Sequence, residues 1–515
     1  MLHDAADWLA GFALRTVQIL IESSLYLLIG FLTAGLLRGM VGPARIRRLF
    51  GTGRVAAPLR AWLAATTLLP VCALGVLPVL RELRRAGVPR HAVLTFALAA
   101  PMLNPISLIS CLSYLGPNLL ALLLVGTMLV SVGAGVIMGD DPARSPPEYD
   151  PAIGEWSDGP GHLGSAAVLA ARTATGAIWV DIAAGMLGAS LLAASLPESY
   201  LAESFFAGDH WAIGRMAAVA PLTYATPDKA MVALPEMIKF RQSAGAMFAL
   251  VALGVGLTLG HATWAGRTYG PWATARWAAV VALASLAIAH AVAGIIPAVG
   301  TANSDNDHFA EFANPFLGMG RWPDLAGALG RYARNVEPLR WATVAALAGL
   351  IGAGASCRRA GKVGAPRLAR SEAPLGNSAW NRPAPPRLVA SVGAFVLGAV
   401  GLVGVYAYFP PPSEVFADMN IIKADFFGEL SWPTLDPARH HLDLWERQAS
   451  KLAVGSLIRL QPADEEAKRQ TEALRAALHR LRLALDANRP AEARSLSLAI
   501  SEIQGRCRQA YHVAW

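Results

Sequence analysis

The chain has 515 residues, 54% of them hydrophobic and only 16% charged, with a positive mean hydropathy, whereas an ordinary soluble domain is about a quarter charged. That balance argues against a soluble globular chain. The formal net charge of +8 does not signal a nucleic-acid partner either: from Pro411 onward 14 basic residues meet 14 acidic ones, so the surplus lies in the first 410 residues, between apolar runs, where membrane proteins keep cytoplasmic loops.

Apolar windows close to the ~20 residues that a membrane helix needs cover Val17–Val41, Ala61–Leu80, His91–Leu112, Asn118–Met138, Ala166–Leu196, Trp211–Pro235, Ala244–Trp264, Trp277–Pro297, Trp341–Ala355 and Leu388–Phe409. They predict about eight to ten spans and an all-α polytopic membrane protein, with lipid as its surroundings. Residues 1–16 read as a short amphipathic surface helix with Leu2, Ala6, Leu9 and Phe12 on its apolar face. No short apolar core followed by a cleavage site precedes Val17, so the first span is expected to stay in the mature protein. Cys72, Cys111, Cys357 and Cys507 are too scattered for a disulfide framework.

After the first span come Arg45, Arg47, Arg48, Arg54 and Arg60, and after the next apolar run Arg81, Arg84, Arg85 and Arg90. Both stretches read as cytoplasmic, yet one crossing cannot begin and end on the same side. Either one loop breaks the charge rule or Ala61–Leu80 is a re-entrant hairpin; Pro70, Gly75 and Pro78 favour the hairpin, because they give the chain a place to turn. Pro101 and Pro105 interrupt the following run, with Asn104 between them. Broken backbone at membrane depth is tolerated where it lines a cavity or is buried in protein, and transport sites are often built from such interruptions. Cys72 is a soft ligand or a small apolar filler. Asn104 serves the exposed carbonyls, a solute, or both.

Residues 1–140 form one membrane half, residues 141–162 an acidic Pro/Gly-rich linker, and residues 163–298 a second half. Leu234-Pro235 followed by Lys239 and Arg241 echoes Leu77-Pro78 followed by Arg81, Arg84 and Arg85, at an offset of about 155 residues, which suggests an internal duplication. Within the second half, Pro221, Pro227 and Pro235 interrupt an apolar stretch that holds Asp228 and Lys229. An ionisable side chain at membrane depth costs ~2.5–3.5 kcal/mol and marks a functional site by default, although a neighbouring opposite charge or an interface would also account for the pair. Thr223, Tyr224 and Thr226 line the same turn.

The run Pro70-Val71-Cys72-Ala73-Leu74-Gly75-Val76-Leu77-Pro78, followed by a basic helix end and Gly87, resembles the signature of the bacterial predicted-permease family that includes the organoarsenical efflux permeases. Pro101-Met102-Leu103-Asn104-Pro105 and Pro227-Asp228 fall where that family has a second proline-rich stretch and a proline-acidic pair. The resemblance covers roughly residues 17–300. It implies a polytopic inner-membrane exporter of two similar halves, in a family some of whose members move metal or metalloid species; the broken or re-entrant helices are the reading of the prolines above. Where such permeases commonly carry Cys-x-Cys, this chain has Cys72 and then Leu74, which puts soft-metal transport in doubt.

Residues 299–340 read as an extramembrane loop in which Asp305, Asp307, His308 and Glu311 form a candidate divalent-cation cluster, and residues 341–356 as a span. The basic, proline-containing linker 357–387 is expected in the cytoplasm, which sends the last span, 388–410, outward and places residues 411–515 in the periplasm. There, stripes of Leu474, Leu478, Leu481 and Leu485 and of Leu496, Ile500, Ile503 and Cys507 at helical spacing predict a soluble four-helix bundle. The ending Arg508-Gln509-Ala510-Tyr511-His512 resembles the close of the four-helix b-type cytochromes and their c-prime relatives, which would make His512 and Met419 ligands of haem b. Covalent attachment in its usual form would need cysteines at Arg508 and Tyr511, and roughly 100° per residue puts His512 opposite the stripe through Ile500 and Ile503. A haem-free sensor or docking module for a periplasmic protein is the other reading.

Beside a structural or assembly subunit, two functions follow. One is a secondary efflux transporter for a small ionic or metal/metalloid-type solute, using Pro70, Cys72, Gly75, Pro78, Asn104, Thr223, Thr226, Asp228 and Lys229. The other is a membrane-anchored electron-transfer or sensor protein that works through its bundle. No nucleotide-binding loop and no nucleophile–base or zinc-binding constellation stands out, so the chain does not read as an enzyme.

Overall fold

The computed structural model describes residues 2–41, 43–115, 117–139, 163–195, 209–224, 226–239, 242–296, 325–359, 398, 402, 405–406, 409–430 and 435–513. No β-strand occurs among them. Helix α1 (Leu2–Leu36) runs on through a π turn, Leu37–Val41. Its 35 residues rise roughly 50 Å, well beyond a hydrocarbon core of ~30 Å. The expected surface helix over residues 1–16 is therefore the first part of this long helix, and from Ala10 one face of it is packed inside the protein: Ala10, Leu14 and Arg15 are buried.

Helices α2 (Pro43–Phe50), α3 (Ala56–Leu68) and α4 (Leu77–Arg85) follow, then α5 (Arg90–Met102), α6 (Pro105–Leu115) and α7 (Pro117–Met138). The second half holds α8 (Leu163–Ala174), α9 (Ile178–Ser195), α10 (Ala212–Val219) with a 3-10 turn to Leu222, α11 (Pro227–Lys239), α12 (Ala244–Ala249) with a π turn to Val255, α13 (Leu259–Tyr269) and α14 (Pro271–Ile295). Next come α15 (Leu325–Asn335) and α16 (Pro338–Arg359). Both halves thus have the same order: a long helix (α1, α9), a pair broken by extended backbone (α3/α4, α10/α11), a bent pair (α5/α6, α12/α13) and a second long helix (α7, α14).

Five stretches among the described residues are long and apolar enough to cross a membrane: Trp8–Val41, Pro117–Met138, Ile178–Ser195, Pro271–Ile295 and Pro338–Ser356. Two more spans result if the bent pairs count as one each, with bends of 42° at Met102 to Pro105 and 49° at Val255 to Leu259. The difference from the larger number expected has a local cause at each point. Ala61–Leu80 and Trp211–Pro235 are not continuous helices, because extended backbone at Leu69 and at Thr223 stops them. Ala166–Leu196 is split by a turn at Thr175–Ala177, where Trp179 Nε1 donates to the Ala174 carbonyl at 2.6 Å. The span expected over 388–410 and the linker over 141–162 lie largely or wholly outside the described residues.

The α3/α4 pair enters and leaves on one face. At its start, Arg54 Nε donates to the Val136 carbonyl, 3.5 Å away. At its end, Arg47 Nη1 donates to the Ala86 carbonyl at 3.3 Å, and Glu82 of α4 lies 4.0 Å from Arg38 at the end of α1. Arg90 donates to the Met138 carbonyl at 2.9 Å, so the end of α7 lies there too. The two basic stretches share a side, as a re-entrant hairpin requires. Its turn fits closely against α1: a Cβ on Gly75 would meet Tyr26 C at 2.8 Å and Leu27 N at 3.3 Å, and facing it on α1 is another glycine, Gly30. Such close backbone approach through small residues is the usual way membrane helices associate.

The C-terminal bundle has its own core. Helices α17 (Pro412–Glu429), α18 (Asp436–Ile458), α19 (Glu465–Asp486) and α20 (Pro490–Ala510) pack α17 on α18, α18 on α19 and α19 on α20. They bury Phe416, Met419, Phe426, Trp445, Leu474, Leu478, Leu481 and Leu485 together. Trp445 Nε1 donates to Gln504 Oε1 at 3.1 Å across the core. Arg482 of α19 is paired with Glu446 of α18 at 2.7 Å and with Asp443. Three of the four helices end in Schellman turns with Leu460, Asn488 and His512 at positive φ, closed by amides that donate five residues back, Gln461 to Ser456, Arg489 to Ala484 and Val513 to Arg508.

Candidate functional site

The four interruptions of the two halves meet. Tyr224 Oη, from the break between α10 and α11, donates to Cys72 Sγ at 3.2 Å in the break between α3 and α4. Asn104 Nδ2, from the bend between α5 and α6, donates to the Val71 carbonyl at 3.0 Å. The bend between α12 and α13 closes the group: a Cβ on Gly256 would lie 2.7 Å from Met102 Cγ, and one on Gly254 2.7 Å from Thr223 Oγ1.

Each interruption frees backbone groups that a buried setting must satisfy, and the local residue types do so. Asn104 caps α6: Ser107 N donates to Asn104 Oδ1 at 2.9 Å, and Asn104 N donates to Ser107 Oγ at 2.8 Å. Thr258 and His261 form a reciprocal cap on α13. Gly75 N donates to Cys72 Sγ at 3.3 Å. Of the residues selected from the sequence, Cys72, Gly75, Pro78, Asn104, Thr223 and Thr226 are buried, and Pro70 is half-buried. Thr223 Oγ1 donates to the Ala220 carbonyl at 2.7 Å. Cys72, Asn104 and Thr223 are thus engaged in holding the breaks together.

A charged cluster adjoins the breaks, held between α1, α11, α15 and α16. Asp228, in the first turn of α11, accepts from Tyr26 Oη at 2.7 Å on Oδ1 and from Arg340 Nη2 at 2.9 Å on Oδ2. Lys229 Nζ donates to Glu22 Oε1 at 2.5 Å. The same oxygen accepts from Tyr332 Oη at 3.5 Å, with Arg15 Nη1 3.7 Å away. Arg340 Nη1 donates to the Glu22 carbonyl at 2.6 Å, and Arg15 Nη2 to the Tyr224 carbonyl at 3.1 Å. Glu22 is 4% exposed at its side chain, Asp228 26% and Lys229 48%, so the cluster grades from protein interior toward an open side. Every contact to the Glu22 carboxylate falls on Oε1; Oε2 is buried with no hydrogen-bond partner among the described residues. That atom is a buried acceptor beside the cationic side chains of Arg15, Lys229 and Arg340.

The pairing of Asp228 with Lys229 weighed from the sequence does not form. Helix geometry sends these neighbours to different partners on α1 and α16. Sequence reasoning missed Glu22, Tyr26, Arg15 and Arg340. Glu22 stands five residues inside the apolar run Val17–Val41 and carries the same signal as Asp228, an acid at membrane depth. Arg340 borders the span predicted from Trp341, and nothing in its local sequence points to Asp228.

The cation cluster proposed at Asp305, Asp307, His308 and Glu311 lies outside the described residues. Among those described, no three His, Cys, Asp or Glu side chains converge on a metal-sized site. In the bundle, Met419 is fully buried among aromatic side chains, whereas His512 is exposed in the turn after α20.

The profile of a family described as predicted permease (ArsP_1) matches residues 9–294. The UPF0718 protein YcgR of Bacillus subtilis is 39% identical over 94 residues, which are 18% of this chain and 32% of that protein. A putative two-component membrane permease complex subunit of Streptococcus mutans is 23% identical over 125 residues, 24% of this chain and 41% of that protein. The matches thus span about a third and two fifths of those relatives' lengths. No solved structure matches the chain.

Proposed function

The chain belongs to this predicted-permease family, and on that premise we propose that it is a secondary transporter exporting a small ionic solute past the point where its four helix interruptions meet. The observation that carries the reading is the cluster of Glu22 and Asp228 with Arg15, Lys229 and Arg340 beside those breaks. A purely structural membrane core has little reason to retain five ionisable groups at one level. Asp228 is saturated by Tyr26 and Arg340 and acts as the positioning carboxylate. Glu22, with Oε2 open, takes the coupling proton or cation. Cys72, Tyr224 and Thr226 line the passage.

The shared order of elements in the two halves supports a duplication of the kind common in transporters. The arginine-rich face, with Arg47, Arg54, Arg85 and Arg90, is the cytoplasmic one by the positive-inside rule, in a bacterial inner membrane. With the last span running away from that face, as the basic linker 357–387 suggests, the bundle would lie in the periplasm and serve there as a docking or sensing module. A single thiol at the breaks favours a hard or organic ionic solute over a soft metal, which would need a second sulfur ligand.

The test is uptake into everted vesicles of a panel of metal ions, arsenicals and small organic ions, with and without a proton gradient, for the wild type, Asp228→Asn and Glu22→Gln. Gradient-dependent uptake of one solute that is lost in both variants is the expected outcome. Uptake by Glu22→Gln with undiminished gradient dependence would remove Glu22 from the coupling role, and no uptake of any solute by folded wild type would overturn the transporter reading.

A further inference from the structure

A second polar site lies on the arginine-rich face, away from Glu22 and Asp228. A cavity of ≈ 240 Å³ opens between the C-terminal ends of α4 and α13 and the N-terminal end of α9, with Arg81, Arg84, Arg85, Asp181, Trp264 and Arg267 in its wall. Four guanidinium groups face one carboxylate. Asp181 is shared, held by Arg267 Nη1 at 3.0 Å and acted on electrostatically by Arg81 as well. Arg85 is paired at 2.9 Å with Glu82, which does not line the cavity.

Arg81 lies three and four residues before Arg84 and Arg85, so all three project from one side of α4 and repel one another. Arg84 stacks over the Tyr269 ring, 5.3 Å from its centroid, and its Nε is buried with no acceptor among the described residues. A chain that gathers like charges around a hollow and leaves a buried guanidinium donor without an acceptor has a place prepared for an anion. Helix α9 adds to it: the helix starts at Ile178 in the cavity wall, and the N-terminal turn of a helix presents N–H groups and positive partial charge.

Size narrows the class. Drug-sized ligands occupy about 300–1,000 Å³, so this hollow takes a small anion rather than a nucleotide. Guanidinium forks match tetrahedral oxyanions through paired hydrogen bonds. We propose that the cavity is a binding site for a phosphate-class oxyanion, taken either as the free ion or as the phosphate of a lipid headgroup. Binding there does not depend on the transport reading. It would, however, bear on the breaks, since α4 starts at the interruption holding Cys72 and α13 at the one holding Thr258; an anion between their far ends ties the two helices together.

The test is calorimetric titration of the purified full-length protein in detergent with inorganic phosphate and, in a parallel arm, with a short-chain phosphatidic acid below its micellar concentration. Arg84→Gln and Arg267→Gln probe the cavity. Arg54→Gln, on the same face but outside the cavity, is the control. Saturable phosphate binding that weakens roughly tenfold or more in both cavity variants, as loss of a charged hydrogen bond predicts, and is unchanged in the control, supports a free-anion site. The same pattern seen with phosphatidic acid alone supports a headgroup site. If Arg84→Gln does not fold, Arg267→Gln, whose side chain is half exposed, carries the comparison. Binding of neither probe by wild type, or equal binding by wild type and the folded cavity variants, overturns the proposal.

Discussion

Replacing Gly75 by alanine tests whether the re-entrant turn is held against α1 by shape alone. The added Cβ would lie 2.8 Å from Tyr26 C and 3.3 Å from Leu27 N, whereas carbon contacts settle near 3.5–4.0 Å, so α1 and the turn must part by roughly 0.7 Å or more. Both neighbours are backbone, and neither can rotate away. Overpacking of this kind costs about 1–3 kcal/mol, a fall of roughly 2–12 °C in thermal midpoint at the 2–4 °C per kcal/mol of large domains. The displacement also moves Tyr26, whose hydroxyl donates to Asp228 at 2.7 Å, and a 1 Å misplacement at a working site is worth ~10²-fold in rate. The assay is thermal unfolding in detergent alongside vesicle transport. Gly133→Ala is the control, since no atom lies within 4 Å of its added Cβ; it should leave the midpoint unchanged or raise it. Gly30→Ala fills the same gap from α1, so the double variant should lose less than the sum of the two. A Gly75→Ala protein with wild-type midpoint and transport would refute the close-packing argument.

The bundle supplies two further tests. Leu460 is 90% exposed and sits at φ 58 in a helix-ending turn, a conformation that costs an L residue about 1–2 kcal/mol. Leu460→Gly removes that strain at an unfolded-state cost of roughly 0.5–1 kcal/mol, so α18 and α19 amides in the full-length protein should exchange with deuterium more slowly; faster exchange would contradict it. Burial pushes the Cys507 thiol from 9.0 up to about 11. A thiol raised in the folded state stabilises it fully below about pH 9, and that contribution is lost as pH rises through about 11. Wild type should therefore lose more bundle stability than Cys507→Ala between these values, and native Cys507 should resist iodoacetamide at neutral pH, as mass spectrometry of the labelled chain would read; ready alkylation would show that the thiol is not buried.

Much of the architecture was legible because prolines and glycines act locally. Pro70, Pro101, Pro105, Pro221 and Pro227 remove donors wherever the chain goes, so three of the four breaks could be placed from the sequence; the bend between α12 and α13, inside the run Ala244–Trp264, carries no proline. The four expected bundle helices are present, and Leu474, Leu478, Leu481 and Leu485 leave little choice of the face they bury. What the sequence did not disclose is which polar group meets which. Asp228 and Lys229 are adjacent in the chain but turn to Arg340 and Glu22, more than a hundred residues away on either side. Arg15 looked like part of a surface helix because nothing within one turn of it explains why an arginine should be buried; its reason is the Tyr224 carbonyl, released by a break in the other half.

That last contact explains why the charges and the interruptions occur together. Three of the four breaks are repaired by neutral, local groups: Asn104 and Ser107 at one, Thr258 and His261 at another, Gly75 with Cys72 at the third. The fourth, at Tyr224, is repaired by a cation from α1. A buried guanidinium needs a counter-charge, and Glu22, about two helical turns further along α1, lies 3.7 Å away. Glu22 in turn faces Lys229, while Asp228 beside it is answered by Arg340. The cluster is thus linked, contact by contact, from the backbone of one break to the thiol of another through Tyr224 and Cys72. The carboxylate that answers Arg15 is therefore tied, through that guanidinium, to the backbone of a break in the other half.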